Sequence, residues 1–285
     1  MKVGIIGSGI SGLICAYLLR HKHEITLYES DIKPGGHVNT VNINDETGPH
    51  KIDTGFIVFN ESNYPNFVRL LEHLKVESKK TRMGFSVRCA DSGIEYSGES
   101  LNGLFGAKKN ILDLKHWGMV RDIFRFHSLA KRNLNSQSSV EDFLSKHRFS
   151  NRFRDAFLLP LGSALWSCST ARFGKFPMEF VFDFLSNHKM LQSFDRPIWR
   201  VLKDGSRTYV DEMVKHIGDR LHLSTPVKRV FRTKTGINVD LPDGTMTTFD
   251  EIILACHADQ SLRMIDQPTE KERKLLEAFP YEQNL

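Results

Sequence analysis

The sequence predicts an α/β fold, with a parallel-sheet domain interrupted by a mainly helical domain. Three observations favour this fold. An apolar run at the N-terminus leads directly into a glycine-rich turn and a helical pattern, long helical periodicity fills residues 101–199, and strand patterns return after residue 199. We therefore expect a discontinuous sheet domain of residues 1–80 and 200–285, and an inserted domain of residues 81–199 that is mainly helical with one hairpin.

The first thirty residues carry the most specific pattern. Lys2–Ile6 has the length and the β-branched content of a buried parallel strand, and the turn Gly7–Gly12 follows it without a gap. A helix is expected over Ser11–Arg20, and Glu24–Tyr28 forms the next strand, which ends on Glu29. A signal peptide is the alternative interpretation, but the glycines and serines of this run and its lack of a small-residue cleavage site argue against it.

The glycine spacing in this turn predicts a site for a dinucleotide. Gly7 permits the tight turn out of the strand, Gly9 lets the backbone approach a pyrophosphate, and Gly12 lets the helix pack closely on the sheet. The helix N-terminus at Ser11 faces the phosphates with free N–H groups and the positive end of its dipole. Glu29 is at the position where a carboxylate accepts hydrogen bonds from both hydroxyls of an adenosine ribose. Together these features predict a Rossmann-like dinucleotide-binding domain.

A second glycine-rich loop follows the second strand. It places two adjacent glycines, Gly35 and Gly36, between the basic residues Lys33 and His37. This composition gives a second backbone approach to a polyphosphate, with Lys33 and His37 as donors toward it. An ordinary Pro-Gly surface turn is the alternative interpretation.

With both loops, the sequence resembles the flavin-containing amine oxidase superfamily, which includes phytoene desaturases and protoporphyrinogen oxidases. That family carries a GxGxxG turn, an acid after the second strand, and a basic-x-Gly-Gly-basic loop that wraps FAD. The matching residues are Gly7, Gly9, Gly12, Glu29, Lys33, Gly35, Gly36 and His37. The resemblance therefore implies FAD as the cofactor. Most relatives have arginine at the positions of Lys33 and His37, so the phosphate contacts are expected to be weaker or rearranged here.

The resemblance extends to the segment Lys51–Asn60. It fits the family's Asp-x-Gly segment, which passes the flavin ring. The resemblance implies close backbone approach at Thr54 and Gly55, and an apolar wall from Phe56 or Ile57. A strand that ends in a turn is the alternative interpretation of this segment.

Two later segments also match the family. A strand over Leu221–Val230 corresponds to the family's strand beside the adenine, where the backbone of Val227 is expected to read the base edge. Asp250–His257 corresponds to the last parallel strand before the cofactor crevice, which brings Ala255 to the site. Between the inserted domain and these strands, Ser206 is expected to cap a helix over Arg207–Ile217.

The inserted region has a hairpin signal, a basic helix face and a phenylalanine-rich stretch. Phe85–Arg88 and Ile94–Tyr96 flank the turn Asp91–Gly93. One helix face is expected to contain Trp117, Val120, Ile123 or Phe124, and His127, and another Arg121, Arg125 and Arg132. A membrane-surface helix and a solvated face of a cap domain both explain this basic face, and the solvated face is favoured. The phenylalanines between residues 153 and 185 indicate core packing or a pocket for a hydrophobic substrate.

Composition excludes several classes of protein. The chain has 285 residues, of which 40% are hydrophobic and 26% charged, and no apolar run reaches transmembrane length. The formal charge of +5 is not concentrated in a run of the kind that binds nucleic acid. Its four cysteines are far apart and lack ligand spacing, so we expect no disulfide framework, no metal site and a cytoplasmic location.

The resemblance implies an FAD-dependent oxidoreductase that transfers hydride from a substrate C–H bond to the flavin. The expected substrate is a small molecule, an amine or an unsaturated lipid or isoprenoid, with the phenylalanines favouring an apolar one. No residue stands out as a catalytic acid, base or nucleophile. Adjacent residues on a strand point to opposite faces, which argues against a nucleophilic pair at Cys256 and His257.

Three alternatives remain open on the sequence. The first is a redox-neutral flavin isomerase of the same fold. The second is a truncated, non-catalytic dinucleotide-binding protein, because the sequence ends before the Gly-Asp or Gly-Glu loop that binds the ribityl-phosphate region of FAD in relatives. We accordingly expect either a fragment or a cofactor site open on one side. The third, an NAD(P)-dependent dehydrogenase, leaves Lys33–His37 and Asp53–Gly55 without a role.

Overall fold

The computed structural model describes residues 1–90, 92–130, 136–191 and 197–281. Asp91 of the predicted hairpin turn and Arg132 of the predicted basic face lie outside the described residues. The chain divides into two compact units. The first contains Met1–Phe59, Tyr64–Lys80 and the described residues from Arg200 onward. The second contains Asn60–Asn63 and the described residues of Thr81–Trp199.

The first unit contains most of the strands, while helices dominate the second. The strands are β1 Lys2–Ile6, β2 Glu24–Tyr28, β3 Thr40–Asp45, β4 Gly48–Asp53, β5 Phe59–Asn60, β6 Ser78–Thr81, β7 Ser86–Cys89, β8 Ile94–Ser97, β9 Trp199–Leu202, β10 Leu221–His222, β11 Arg229–Thr233, β12 Gly236–Asp240, β13 Met246–Phe249 and β14 Glu251–Leu254. The helices are α1 Ile10–Leu19, α2 Pro65–Leu74, α3 Leu101–Leu104, α4 Lys109–Leu112, α5 Leu114–Ala130, α6 Val140–Lys146, α7 Asn151–Phe153, α8 Leu159–Trp166, α9 Thr170–Phe173, α10 Met178–Asn187, α11 Arg207–Ile217, α12 Ala258–Met264 and α13 Glu270–Glu277.

A four-stranded parallel sheet forms the centre of the first unit, and its order is β10–β2–β1–β14. β1 is a central strand, paired with β2 from Lys2 opposite Glu24 and with β14 from Val3 opposite Glu251. Val3 and Ile5 of this strand are buried, as its continuous apolar run predicts. The predicted α/β fold with a parallel sheet is confirmed.

Helices α1 and α11 cover one face of this sheet. Leu13, Ala16 and Tyr17 are buried on α1, at the spacing of one helical face. They share a core cluster with Val210 and Met213 of α11.

The predicted strand over Leu221–Val230 is divided into two in the structure. β10 ends at His222 and continues the parallel sheet, whereas β11 begins at Arg229 and pairs with β12 in an antiparallel sheet. Pro226 between them has no backbone N–H, so it cannot contribute a ladder hydrogen bond. β12 and β13 form an antiparallel hairpin across the turn Pro242–Gly244.

The second unit contains the predicted hairpin, β7 and β8, and a core rich in aromatic residues. Phe126, Phe143, Phe153, Phe173 and Phe182 are all buried there. Their rings contact each other in edge and stacked geometries, as between Phe143 and Phe182, whose centroids lie 5.2 Å apart. Core packing therefore accounts for these phenylalanines.

The predicted apolar face of α5 was partly wrong. Val120 and Ile123 are buried, but Trp117 and Phe124 are exposed. The buried face instead runs through Met119, Val120, Ile123 and Phe126, and it also contains a carboxylate. Asp122 lies there fully buried, where it accepts hydrogen bonds from the Arg125 guanidinium and the Ser150 backbone N–H. Charged residues usually lie on the exposed face of a helix, so the sequence pattern did not predict that Asp122 is buried.

A buried tyrosine completes the backbone hydrogen bonding at the start of α8. Pro160 lies in the first turn of this helix and has no N–H to offer the preceding turn. The Tyr96 hydroxyl donates a hydrogen bond of 2.5 Å to the carbonyl of Ala156, four residues before the proline. Burial raises the pKa of Tyr96, so the hydroxyl remains a donor. A tyrosine on the hairpin thus supplies the donor that the proline lacks.

We expect Tyr96→Phe to lower the free energy of unfolding by about 1–3 kcal/mol, because it removes a buried hydrogen bond to the Ala156 carbonyl. Pro160→Ala restores a backbone N–H to the same turn. In that background Tyr96→Phe is expected to cost less, and urea unfolding of the four proteins measures the difference. An equal cost in both backgrounds would show that the hydroxyl does not replace the missing N–H.

Candidate functional site

The turn between β1 and α1 has a backbone that only glycine accepts at two positions. Gly7 has a φ of +101°, and a Cβ there would lie 2.6 Å from the carbonyl oxygen of Ala255. A Cβ on Gly12 would lie 1.8 Å from the carbonyl oxygen of Gly7. The last strand and the helix therefore close on the turn from two sides, and Ala255 lies against it. The predicted roles of Gly7 in the turn and Gly12 in helix packing have a direct steric basis.

Gly9 differs from these two glycines. A Cβ added to it would meet no atom of the chain within 4 Å, and its φ of −63° is accessible to any residue. The protein itself therefore imposes no need for glycine here. Gly9 is also the N-cap of α1, and it has no side chain that could accept a hydrogen bond from the first helical N–H groups. Ser11, in the first turn of this helix, is exposed. Open space beside uncapped N–H groups is what a bound phosphate requires.

The second glycine-rich loop lies directly against this turn. Gly35 donates its N–H to the carbonyl of Ser8 at 2.9 Å, and Gly9 and Gly35 form a parallel bridge. A Cβ on Gly36 would lie 3.0 Å from the Cα of Gly9. The two loops that the sequence suggested for one ligand are thus neighbours. They present two adjacent glycines to the open side of Gly9.

The basic residues of this loop are exposed. Lys33 points away from the core. The His37 ring stacks on His257, with centroids 5.8 Å apart, and His257 stacks in turn on Tyr281 at 4.7 Å. His37 therefore already has an aromatic partner. Contacts of Lys33 and His37 with a phosphate remain a prediction.

Glu29 at the end of β2 is tied to the glycine turn. Its Oε2 accepts hydrogen bonds from the backbone N–H and the hydroxyl of Ser8, at 2.8 Å and 2.6 Å. Its Oε1 accepts from the Asp31 N–H at 2.9 Å and from the Ser30 hydroxyl at 3.2 Å. These donors orient the carboxylate beside the turn, and Ser8 is the contributor that the sequence analysis did not single out.

The same hydrogen bonds set the ionisation of Glu29. Burial by itself raises the pKa of this carboxyl, but the donors from Ser8, Asp31 and Ser30 together outweigh burial. The pKa is therefore held below its usual value. Glu29 is an oriented anion at neutral pH, which is the state that accepts hydrogen bonds from a ribose.

The segment around Gly55 packs on the second glycine-rich loop. Thr54 donates its N–H to the Asn39 carbonyl at 2.9 Å, and a Cβ on Gly55 would lie 1.9 Å from the carbonyl oxygen of His37. The close approach at Gly55 is thus made to the chain itself. Phe56 packs edge-on against Phe67, with ring centroids 5.3 Å apart. An approach of these residues to a flavin ring remains a prediction.

A network that the sequence analysis missed holds these loops. Asp53 accepts hydrogen bonds from the Thr40 hydroxyl and from both the N–H and the hydroxyl of Ser206. Thr40 in turn accepts from the Arg207 N–H at 3.0 Å. The predicted Ser206 side-chain cap of α11 is therefore wrong, because the Ser206 hydroxyl donates to Asp53 instead. The carboxylate of Asp53 and the hydroxyl of Thr40 receive the first N–H groups of this helix.

Arg207 extends this network to the second glycine-rich loop. Its guanidinium donates to the carbonyl of Pro34 at 2.7 Å and pairs with Asp211 on the same helix. Thr40 and Asp53 face each other across the hairpin of β3 and β4. The partners of this hairpin on α11 lie more than 150 residues away in the sequence, so no local pattern indicated them.

Val227 lies close to the Glu29 end of the sheet. Thr225 donates its N–H to the Glu29 carbonyl at 2.7 Å, and Ser224 donates to the Asp31 carbonyl at 2.9 Å. Val227 is half-buried in the cluster that contains Ile6 and Tyr28. The segment before it therefore runs beside Glu29. Base reading by its backbone stays a prediction.

The described residues contain no group of His, Cys, Asp or Glu suited to a metal ion. Burial raises the pKa of the Cys256 thiol, which lies 3.2 Å from the Ser261 hydroxyl, so the thiolate is disfavoured. Cys256 follows β14 rather than lying on it, and His257 begins α12. This geometry gives no nucleophilic pair.

The fold and this cluster of loops define a dinucleotide-binding α/β protein. The family model for flavin-containing amine oxidoreductases matches residues 10–282, and the chain belongs to that family. The predicted resemblance is confirmed, and the family's cofactor class, a flavin, agrees with the predicted FAD. No curated protein sequence matches the chain.

Solved structures share the fold at low sequence identity. Putrescine oxidase bound to putrescine has a TM-score of 0.70 and 19% identity, over 97% of this chain and 63% of the other. Cyclohexylamine oxidase from Brevibacterium oxydans IH-35A has a TM-score of 0.68 and 17% identity, and the match covers 97% of this chain and 62% of the other. A fatty acid isomerase from P. acnes has a TM-score of 0.60 and 16% identity, and the match covers 96% of this chain and 63% of the other. The chain spans less than two thirds of the length of these proteins.

We expect Glu29→Gln to alter the pH dependence of stability. The pKa of Glu29 is lower in the folded state than its ordinary value of 4.5, so the carboxylate stabilises the fold at neutral pH. That contribution is lost as pH falls from about 4.5 through the lower folded pKa. The gap in unfolding free energy between the parent and Glu29→Gln should therefore narrow with acidification in urea titrations.

Glu24→Gln is the matched control, because Glu24 is exposed on the same strand. It should give a gap that changes less with pH. A Glu29→Gln gap that is constant from neutral to acidic pH would contradict the proposed role of the Ser8 and Asp31 donors.

Proposed function

We propose that this chain binds FAD on its first unit and belongs to an FAD-dependent oxidoreductase. The observation that supports it best is the approach of two glycine loops, at Gly9 and at Gly35–Gly36, beside an oriented carboxylate at Glu29. The space at Gly9 fits a pyrophosphate, because the chain leaves room for it and the helix offers N–H groups. Glu29 fits the adenosine ribose.

The residues assigned to the cofactor fall into three groups by location. The turn and the first helix supply Gly7, Gly9, Ser11 and Gly12, and the second loop supplies Lys33, Gly35, Gly36 and His37. Thr54, Gly55 and Phe56 are assigned to the flavin side, and Val227 and Ala255 to the edges of the site. We propose Asp53 and Arg207 as residues that hold the second loop in position rather than touch the cofactor.

A bound flavin supplies hydride acceptance from a substrate C–H bond. The protein's part is to bind, orient and exclude water, which agrees with the absence of an obvious acid–base pair among the described residues. The names of the similar structures indicate amines and a fatty acid as substrate classes. We propose a small amine or an apolar unsaturated molecule as the substrate. The four cysteines are free thiols, which supports a reducing, cytoplasmic setting.

An absorption spectrum of the purified chain, with chromatographic identification of any released cofactor, tests the proposal first. We expect a flavin spectrum and the release of FAD. A colourless protein that cannot be reconstituted with FAD would favour a non-catalytic dinucleotide-binding protein. Bound NAD(P) in place of a flavin would favour a dehydrogenase.

Gly9→Val separates cofactor binding from folding. Because a Cβ at this position would meet no atom of the chain within 4 Å, we expect the melting temperature of the apoprotein to change little, by the equivalent of about 0.5 kcal/mol or less. FAD binding should be abolished, because the side chain would occupy the pyrophosphate position. Absorbance at constant protein concentration measures the bound flavin.

Gly12→Ala is the contrasting variant, because its Cβ would lie 1.8 Å from the Gly7 carbonyl oxygen. It should lower the melting temperature even without cofactor. FAD retained by Gly9→Val at the parental level would place the pyrophosphate elsewhere.

A flavin-dependent isomerase is the second candidate, favoured by the structural similarity to a fatty acid isomerase. The two activities differ in electron balance. An oxidase or desaturase must show net bleaching of the flavin when mixed anaerobically with substrate, whereas an isomerase returns the flavin to its starting state. Stopped-flow absorbance with amines and with unsaturated fatty acids distinguishes them.

A further inference from the structure

A corner of the second unit exposes large apolar side chains. It lies where α4 ends at Leu112 and α5 begins at Leu114, with one residue between the helices. Leu112 is 87% exposed and Leu114 is 84% exposed. Ile111 and Trp117 beside them are 51% and 49% exposed. We call these four residues the apolar corner.

The corner is held by polar contacts on its inner side. Asn110 is buried and donates its side-chain N–H groups to the carbonyls of Glu95 and Leu104. The buried His116 ring hydrogen-bonds to the Leu104 carbonyl at 2.8 Å. Both anchors lie within two residues of exposed leucines. The apolar side chains therefore project from a fixed backbone.

Trp117 joins the two helices at this corner. Its indole N–H donates to the carbonyl of Ile111 at 2.9 Å, and its ring packs on Phe105 with centroids 4.5 Å apart. Half of the ring nevertheless stays exposed. An indole with its N–H satisfied and its face exposed is suited to the boundary between water and hydrocarbon.

Basic residues surround the apolar corner. The sequence from Lys108 to Arg125 contains five Lys or Arg and two Asp. Both aspartates are already engaged, Asp113 with Arg152 at 2.7 Å and Asp122 with Arg125 at 3.0 Å. Lys108 and Lys115 are exposed on either side of the leucines. The net charge at the surface of this segment is therefore positive.

We propose that the apolar corner is a docking surface for an anionic lipid bilayer. The two leucines lie at the short connection between two helices and are more than four-fifths exposed, so their side chains are free to insert between lipid headgroups. Apolar side chains flanked by lysines match the two layers of such a membrane, acyl chains below and anionic headgroups above. The described residues include no helix long and apolar enough to span a bilayer, and surface insertion needs none.

Co-sedimentation with lipid vesicles tests this proposal, and it does not depend on FAD. The protein should sediment with vesicles of phosphatidylcholine mixed with phosphatidylglycerol, and not with phosphatidylcholine alone. Raising the salt concentration should release it, because the lysine contribution is screened. Trp117 is at the surface, so tryptophan fluorescence should shift to shorter wavelength on binding.

Three variants identify the residues responsible. Leu112→Ser combined with Leu114→Ser should weaken vesicle binding by more than about tenfold. Lys108→Gln and Lys115→Gln should each weaken it by roughly fivefold. Leu275→Ser, at a leucine that is 56% exposed on α13, is the matched control and should bind as the parent does. All replaced side chains are exposed, so melting temperatures should be unchanged.

Three results would overturn the proposal. The parent protein could fail to sediment with phosphatidylglycerol vesicles, or the parent and the double leucine variant could sediment equally. The third is self-association of the parent that the double leucine variant abolishes without lipid, because the corner would then bind a second copy. Gel filtration of both proteins reports the latter.

Discussion

The contact between the two glycine loops is the constraint on which the candidate site depends. Gly35 donates its N–H to the carbonyl of Ser8, and a Cβ on Gly36 would lie 3.0 Å from the Cα of Gly9, so the two loops are packed against each other. Ser8 also donates to Glu29. One residue of the first loop thus links the second loop to the carboxylate. The relative positions of the two glycine loops and the Glu29 carboxylate follow from hydrogen bonds within the chain.

Support for these loops comes from a distant part of the sequence. Asp53 and Thr40 receive the first N–H groups of α11, and Arg207 of that helix reaches the carbonyl of Pro34. The helix also packs on α1, which begins at the glycine turn. Residues after position 200 therefore complete a site whose recognisable motifs lie before position 60. This is possible because the first unit is built from two separate parts of the chain, one before residue 81 and one from residue 200 onward.

The two units use their apolar residues differently. In the first, buried side chains join a sheet to its helices, and the loops at the carboxyl ends of the strands form the candidate site. In the second, packed phenylalanine rings fill the interior, and the two most exposed leucines, Leu112 and Leu114, lie at the corner of α4 and α5 beside exposed lysines. Aromatic content alone could not distinguish a core from a substrate pocket. The burial of Phe153, Phe173 and Phe182 makes that distinction.

Local patterns in the sequence determined the parallel strands, the glycine turn and the family, because strand periodicity and glycine spacing act over a few residues. They also located Glu29 and both glycine loops. Two features needed the tertiary structure: the partners of Asp53, and which side of α5 is buried. Both depend on residues far apart in sequence, since Asp53 accepts hydrogen bonds from Ser206 and the buried Asp122 accepts one from Ser150. A buried charge or a borrowed helix cap has no local signature, so only the folded chain decides it.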